Sequence, residues 1–194
     1  PEQSLWSTVK SSQIIDGSSF KFKNDKRPKI LFLIGEREYL TSKTLPKYAD
    51  VNLLKKYRVE YLFAADGQSD FGDIQSEISD ADLLFISVRR RALSDKDILS
   101  IRDFISKGKP VVGIRTSNHA FSLRGKSPAI GYNVWEEFDQ QVFGGNYTNH
   151  YGNKILAIAE VNPIEHPVLE GLQRKQFDTG GSLYKVLPLK KSTT

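Results

Sequence analysis

Cysteine is absent from the 194 residues, which excludes a thiol nucleophile, a disulfide framework and any cysteine-ligated zinc or iron–sulfur centre. The same absence leaves the redox compartment, and with it the localisation, unread. Methionine is absent too and the sequence opens on Pro1, so the natural start is expected to lie outside it. No apolar run approaches the roughly 20 residues of a membrane span. The longest, Ile30 to Ile34 and Leu83 to Val88, have the length of buried strands, and a soluble body without membrane association is expected. Histidine occurs only 3 times, as His119, His150 and His166, with none of the paired spacing that metal sites use, so no metal and no other cofactor is expected.

What is present is a chain long enough to bury a core by itself, with a net charge of +5. The charge favours anionic ligands in general. Its positive residues are scattered, without a zinc-finger, RNA-recognition or helix-turn-helix signature, so no nucleic-acid partner is expected. Residues 1–27 are polar, with Trp6 and the alternating Phe20-Lys21-Phe22-Lys23 as their apolar anchors, and read as an extension along the body. One domain is expected over residues 28–194.

Within it, Lys29 to Ile34 closes on Gly35 as a strand buried on both faces, and Thr44 with Pro46 opens a helix lasting to about Tyr57. Arg58 to Ala64 gives a second strand. Phe71, Ile74 and Ile78 mark a short helix, and Ala81 to Val88 gives a third strand. Ser94 with Asp97 forms a capping box for a helix carrying Ile98, Ile101, Phe104 and Ile105 and ending at Gly108. Pro110 to Ile114 is a fourth strand that runs into a sharp turn and a further helix. Strand and helix alternate to about residue 123, which is an α/β pattern with a parallel sheet and right-handed crossovers. From Gly125 to Gly152 the sequence turns irregular and aromatic, and an interior stretch of that kind is functional or a cover. Lys154 to Val161 then reads as a strand and Pro163 to Leu172 as a turn with a short helix, begun by His166 before Pro167.

The loops leaving strands one, three and four carry Glu36, Arg37, Glu38 and Tyr39; Arg89, Arg90 and Arg91; and Arg115, Thr116, Ser117, Asn118 and His119. In a parallel sheet these loops open on one edge, where ligands bind and guanidinium forks suit carboxylate or phosphate. The competing reading pairs the arginines with Glu36 and Glu38 and gives them only a stitching role. Gly113 and Ser117 flank Arg115 as the small residues of a strand-to-helix elbow, but arginine stands where such elbows hold a Ser or Cys nucleophile. Thr116 and Ser117 are offset from that apex and are read as helix caps. His150 lies in a Gly- and Asn-rich stretch and is a candidate acid, base or donor.

Leu33-Ile34-Gly35-Glu36 with Glu38-Tyr39, Ser87-Val88-Arg89-Arg90-Arg91, and Val112-Gly113-Ile114-Arg115-Thr116-Ser117-Asn118-His119-Ala120-Phe121 together resemble the ThuA-like, or trehalose-utilisation-like, family of the class I glutamine amidotransferase-like superfamily. Gly144-Gly145-Asn146-Tyr147, His166-Pro167 and Gly181-Ser182-Leu183-Tyr184 fit the same pattern. The resemblance covers roughly residues 29 to 189. It implies a flavodoxin-like three-layer sandwich with a mainly parallel central sheet. Amidotransferases of the superfamily use cysteine at the elbow, so glutaminase activity is not carried over to a chain with Arg115 there. Family domains continue through further strands after the segment resembling Gly181 to Leu189, so the C-terminus is expected to be incomplete.

The expected function is a crevice at the carboxyl edge of the sheet that binds a small anionic or sugar-related ligand through Glu36, Tyr39, Arg89, Arg90, Arg115, Thr116, His119 and His150. The enzymatic alternative is a hydrolase or isomerase of carbohydrate derivatives, with Glu36 or a histidine as base and the arginines on an oxyanion. A third reading is a protein-interaction scaffold that uses the aromatic stretch from Trp135 to Tyr151 as its interface. Self-association is left open.

Overall fold

Strand β1 (Lys29–Gly35) is buried at every position: its apolar run from Ile30 to Ile34 has neighbours on both edges and helices over both faces, and Lys29 is buried in ion pairs with Glu77 and Asp80. The computed structural model describes residues 25–64, 71–152, 155–180 and 182–190. They fall into two compact units, one ending at Gly144 and the other beginning at Gly145. The expected anchors Trp6 and Phe20 to Lys23 lie outside the described residues.

In the first unit β1 is followed by α1 (Thr41–Asn52), β2 (Arg58–Phe63), α2 (Ile74–Ser79), β3 (Leu83–Val88), α3 (Asp95–Ser106) and β4 (Val111–Gly113). The sheet order is β2-β1-β3-β4 and every pairing is parallel, with Gly35 opposite Val88 and Ile86 opposite Gly113. Parallel strands joined by helical crossovers must carry helices on their faces. Leu31, Leu33, Leu84 and Ile86 pack with Ile74 and Ile78 of α2 and with Ile98, Ile101 and Phe104 of α3. On the opposite face Ile30, Phe32, Ile34 and Tyr61 pack with Ala49 of α1, and the Phe32 and Phe85 rings stack 4.6 Å apart. The result is the expected flavodoxin-like α/β sandwich.

Local signals explain most boundaries. The Ser94 hydroxyl accepts the Asp97 N–H at 3.2 Å and caps α3, and Gly108, with φ +72°, ends it in the left-handed conformation that favours glycine. Helix α1 starts at Thr41, three residues before the expected Thr44, for a reason that lies in the loop before it and is described below. The helix expected after β4 shrinks to a five-residue 3-10 turn, Arg115–His119. As far as Phe143, the irregular stretch that follows is a cover. Phe121, Trp135 and Phe138 are buried in the core with edge-on ring contacts, and Asp139–Phe143 forms a single π-helical turn. Trp135 also donates its indole N–H to Gln141 at 2.8 Å and lies under the Arg102 guanidinium.

The second unit contains two short antiparallel pairs, β5 (Asn149–His150) with β8 (Tyr184–Lys185) and β6 (Ala157–Glu160) with β7 (Gln176–Thr179). The strand expected from residue 154 is seen over β6, and Lys154 itself lies outside the described residues. His166 begins a 3-10 turn, Pro167–Leu169, by accepting the Val168 N–H on Nδ1 at 3.2 Å. Among the described residues no helix is long and apolar enough to cross a membrane.

Candidate functional site

Because β1, β3 and β4 are adjacent and parallel, the loops that leave them emerge side by side at one edge of the sheet. The β3 loop is laced to both neighbours through its backbone. Arg89 N–H donates to the Gly35 carbonyl at 3.3 Å, Arg90 N–H to the His119 carbonyl at 3.2 Å and Arg91 N–H to the Ala120 carbonyl at 2.7 Å. The Arg91 side chain adds a bond from Nε to the Gly35 carbonyl at 3.1 Å.

Glu36 organises the first loop. Its carboxylate is buried and accepts the backbone N–H of Tyr39 and that of Thr41, each at 2.8 Å, together with the Thr41 hydroxyl. Ser87 at the end of β3 donates in turn to the Thr41 hydroxyl at 2.9 Å, so a buried chain runs Ser87, Thr41, Glu36. Leu40, the residue before α1, offers no side-chain cap and is left-handed with φ 53°. Glu36 therefore caps α1 from the end of β1, which is why the helix starts early. An acidic residue directly after a buried strand with threonine five residues on is the signal that marks it.

The third loop is an elbow of the expected kind. Ser117 is buried, accepts the Ile114 N–H at 3.1 Å and sits 2.6 Å from the Ile86 carbonyl, to which its hydroxyl donates. That commits Ser117 to holding the turn, and Thr116 beside it is 1% exposed. Gly113 is required by a neighbour, because a Cβ there would lie 2.3 Å from the tip of the Phe143 ring. Gly113→Ala should cost about 1–3 kcal/mol by overpacking. Urea unfolding of Gly113→Ala, Phe143→Ala and the double variant should show losses that are clearly less than additive, and strict additivity would contradict the contact.

Arg115 occupies the apex, exposed to solvent, with φ 39°. Its guanidinium lies 4.6 Å from the centroid of the Tyr39 ring, a cation–π contact that joins the first and third loops. Arg89 pairs with Glu38 at 2.8 Å, and Arg90 is half-buried with Nη1 at the long distance of 3.5 Å from the Ser122 carbonyl. The Arg89–Glu38 pair is partly exposed and stitches two loops at little energetic gain. His119 is buried, with Nδ1 2.8 Å from Asn118 Oδ1. A carbonyl oxygen only accepts, so the proton sits on Nδ1. Burial and then the charges of Arg90, Arg89 and Arg124 hold the pKa of His119 down to about 3, and the ring is neutral at physiological pH. Arg124 is thus part of this neighbourhood, although its place in the chain gave no hint of it.

Glu36, Tyr39, Arg89, Arg90, Arg115, Thr116 and His119 therefore come together at one edge of the first unit. His150 belongs to the second unit, where it is exposed, with Nδ1 2.8 Å from the Tyr151 carbonyl. Among the described residues no group of three or more His, Asp or Glu side chains is placed to hold a metal ion. The arrangement offers guanidinium donors, an aromatic face and a neutral imidazole, a set suited to holding an anion with hydroxyl groups.

No protein-family model matches the chain, and no curated protein matches it. Among solved structures it is similar to a protein from Bacteroides uniformis designated ThuA-like, with a TM-score of 0.60 and 13% identity over 88% of this chain and 66% of the other. At 66% this chain spans just under two thirds of that protein's length, and what the two share is the fold.

Proposed function

We propose that the carboxyl edge of the sheet is a binding crevice for a small anionic or sugar-related ligand, held by Arg89, Arg90 and Arg115 with Tyr39 as a stacking face. The observation that carries this reading is the backbone. Leu40, Arg90 and Arg115, one in each of the three neighbouring loops, are non-glycine residues at positive φ. Such conformations cost roughly 1–2 kcal/mol each and cluster where function requires a side chain to be presented. A scaffold that needed only turns would place glycine there. In an open parallel sheet the carboxyl ends of the strands are where ligands bind, which supports the same edge. Glu36 enters as the residue that shapes the loop, and His119 as a neutral hydrogen-bonding partner for ligand hydroxyls.

The test is a thermal-shift comparison of gluconate, glucuronate, glucose 6-phosphate, succinate and trehalose on the wild-type chain and Arg115→Gly. A ligand at a hundred times its Kd adds about 2.7 kcal/mol, a shift of several degrees for a chain of this size. Glycine removes the guanidinium and relieves the left-handed strain, so Arg115→Gly should keep its stability and lose the shift. Equal shifts in both proteins would contradict the crevice.

A further inference from the structure

Helix α1 buries Thr41, Pro46 and Ala49 against the sheet and turns a second, unusual face outward. At helical spacing that face carries Leu40, Tyr48 and Val51, which are 56%, 55% and 76% exposed, with Thr44 between them. Exposed Lys43 and Lys47 run beside this ridge, and exposed Lys55 and Lys56 follow the helix. Lys43, Lys47, Lys55 and Lys56 make no ion pair among the described residues.

One of these charges is also placed against the helix's own preference. The first turn holds no acidic residue and the last turn no basic one, while Lys43 sits in the first turn, where the macrodipole is positive. Core packing does not account for an exposed apolar ridge with Lys43 and Lys47 beside it. A binding partner that brings carboxylates does.

From this we infer that the outer face of α1 docks an acidic amphipathic segment of a partner protein. Its apolar side chains would cover Leu40, Tyr48 and Val51, and its flanking carboxylates would meet Lys43 and Lys47. A lipid surface fits less well, because insertion uses a full apolar face of Leu, Phe or Trp, and here three apolar side chains are interleaved with threonine and lysine on a helix whose other side is held in the core. The ridge begins at Leu40, next to Tyr39, so a docked segment would lie at the rim of the loop cluster described above.

The probe is a synthetic amphipathic peptide with leucine and phenylalanine at helical spacing and glutamate on the flanks, titrated into the 15N-labelled 194-residue chain. Amide shifts should concentrate between Leu40 and Lys56, and the affinity should fall about tenfold in the double variant Lys43→Glu/Lys47→Glu. Val51→Ala should weaken binding about threefold or more without altering the fold, since the side chain is exposed. A scrambled peptide of the same composition should bind at least about tenfold more weakly. Equal binding of the scrambled peptide, shifts spread over the whole surface, or no binding would overturn the inference. So would capture by phosphatidylserine vesicles that compete through the same lysines while the peptide fails to bind.

Discussion

Glu36→Ala should lower the stability of the chain by about 3 kcal/mol and the Tm by roughly 10 °C. The substitution leaves the Tyr39 and Thr41 N–H groups and the Thr41 hydroxyl without the carboxylate that accepts them, in a place where Thr41 is buried and water is a poor substitute. It also removes the cap that α1 lacks at Leu40. Glu36→Gln should lose less, because its carbonyl oxygen keeps one side of the network while its NH2 group confronts a donor on the other. The loop change extends to the proposed ligand site, since Tyr39 is the face on which Arg115 lies. Chemical unfolding of the three proteins at neutral pH measures the effect. A general base would behave differently, with Glu36→Ala as stable as the wild type and only turnover lost.

Acid should weaken the chain through His119. Its pKa is about 3 in the folded chain and near 6.5 unfolded, so below pH 6.5 the unfolded state binds a proton that the folded state refuses. The stability due to the neutral ring is complete above pH 6.5 and is lost at about 1.4 kcal/mol per pH unit as the pH falls toward 3, on the order of 5 kcal/mol in all. Carboxylates contribute to acid unfolding as well, and the variant His119→Gln isolates the histidine. Between pH 7.5 and 5 the wild type should lose about 2 kcal/mol more than His119→Gln in urea unfolding. Parallel pH profiles would contradict a ring kept neutral by burial and by Arg90, Arg89 and Arg124.

Most of the first unit was legible because its signals are local or periodic. Strands buried on both faces show as unbroken apolar runs, as in Ile30 to Ile34, and α3 carries its cap at Ser94 and its stop at Gly108. The start of α1 was missed because its cap reaches across the loop from Glu36, and propensity weighs only the residues of the helix itself. The length of the elbow turn depends on Ser117 bonding to β3, a contact between residues distant in the chain. The aromatic stretch has no period because it is a lid of rings, with Phe138 between Phe121 and Phe143, and tertiary packing decides its shape. The arginine loops were placed on one edge by the strand alternation alone. Which arginine would pair with Glu38 and which would lie on Tyr39 was fixed only by side-chain geometry.

The central claim is that a small anion binds where the three loops meet, and an amide chemical-shift titration locates binding directly. Gluconate, or the strongest stabiliser from the thermal comparison, would be added to the 15N-labelled chain with Arg115→Gly as control. The account predicts saturable shifts confined to residues 36–40, 89–93 and 115–119 that vanish in the variant. Shifts centred elsewhere, or unchanged by the loss of Arg115, would contradict it.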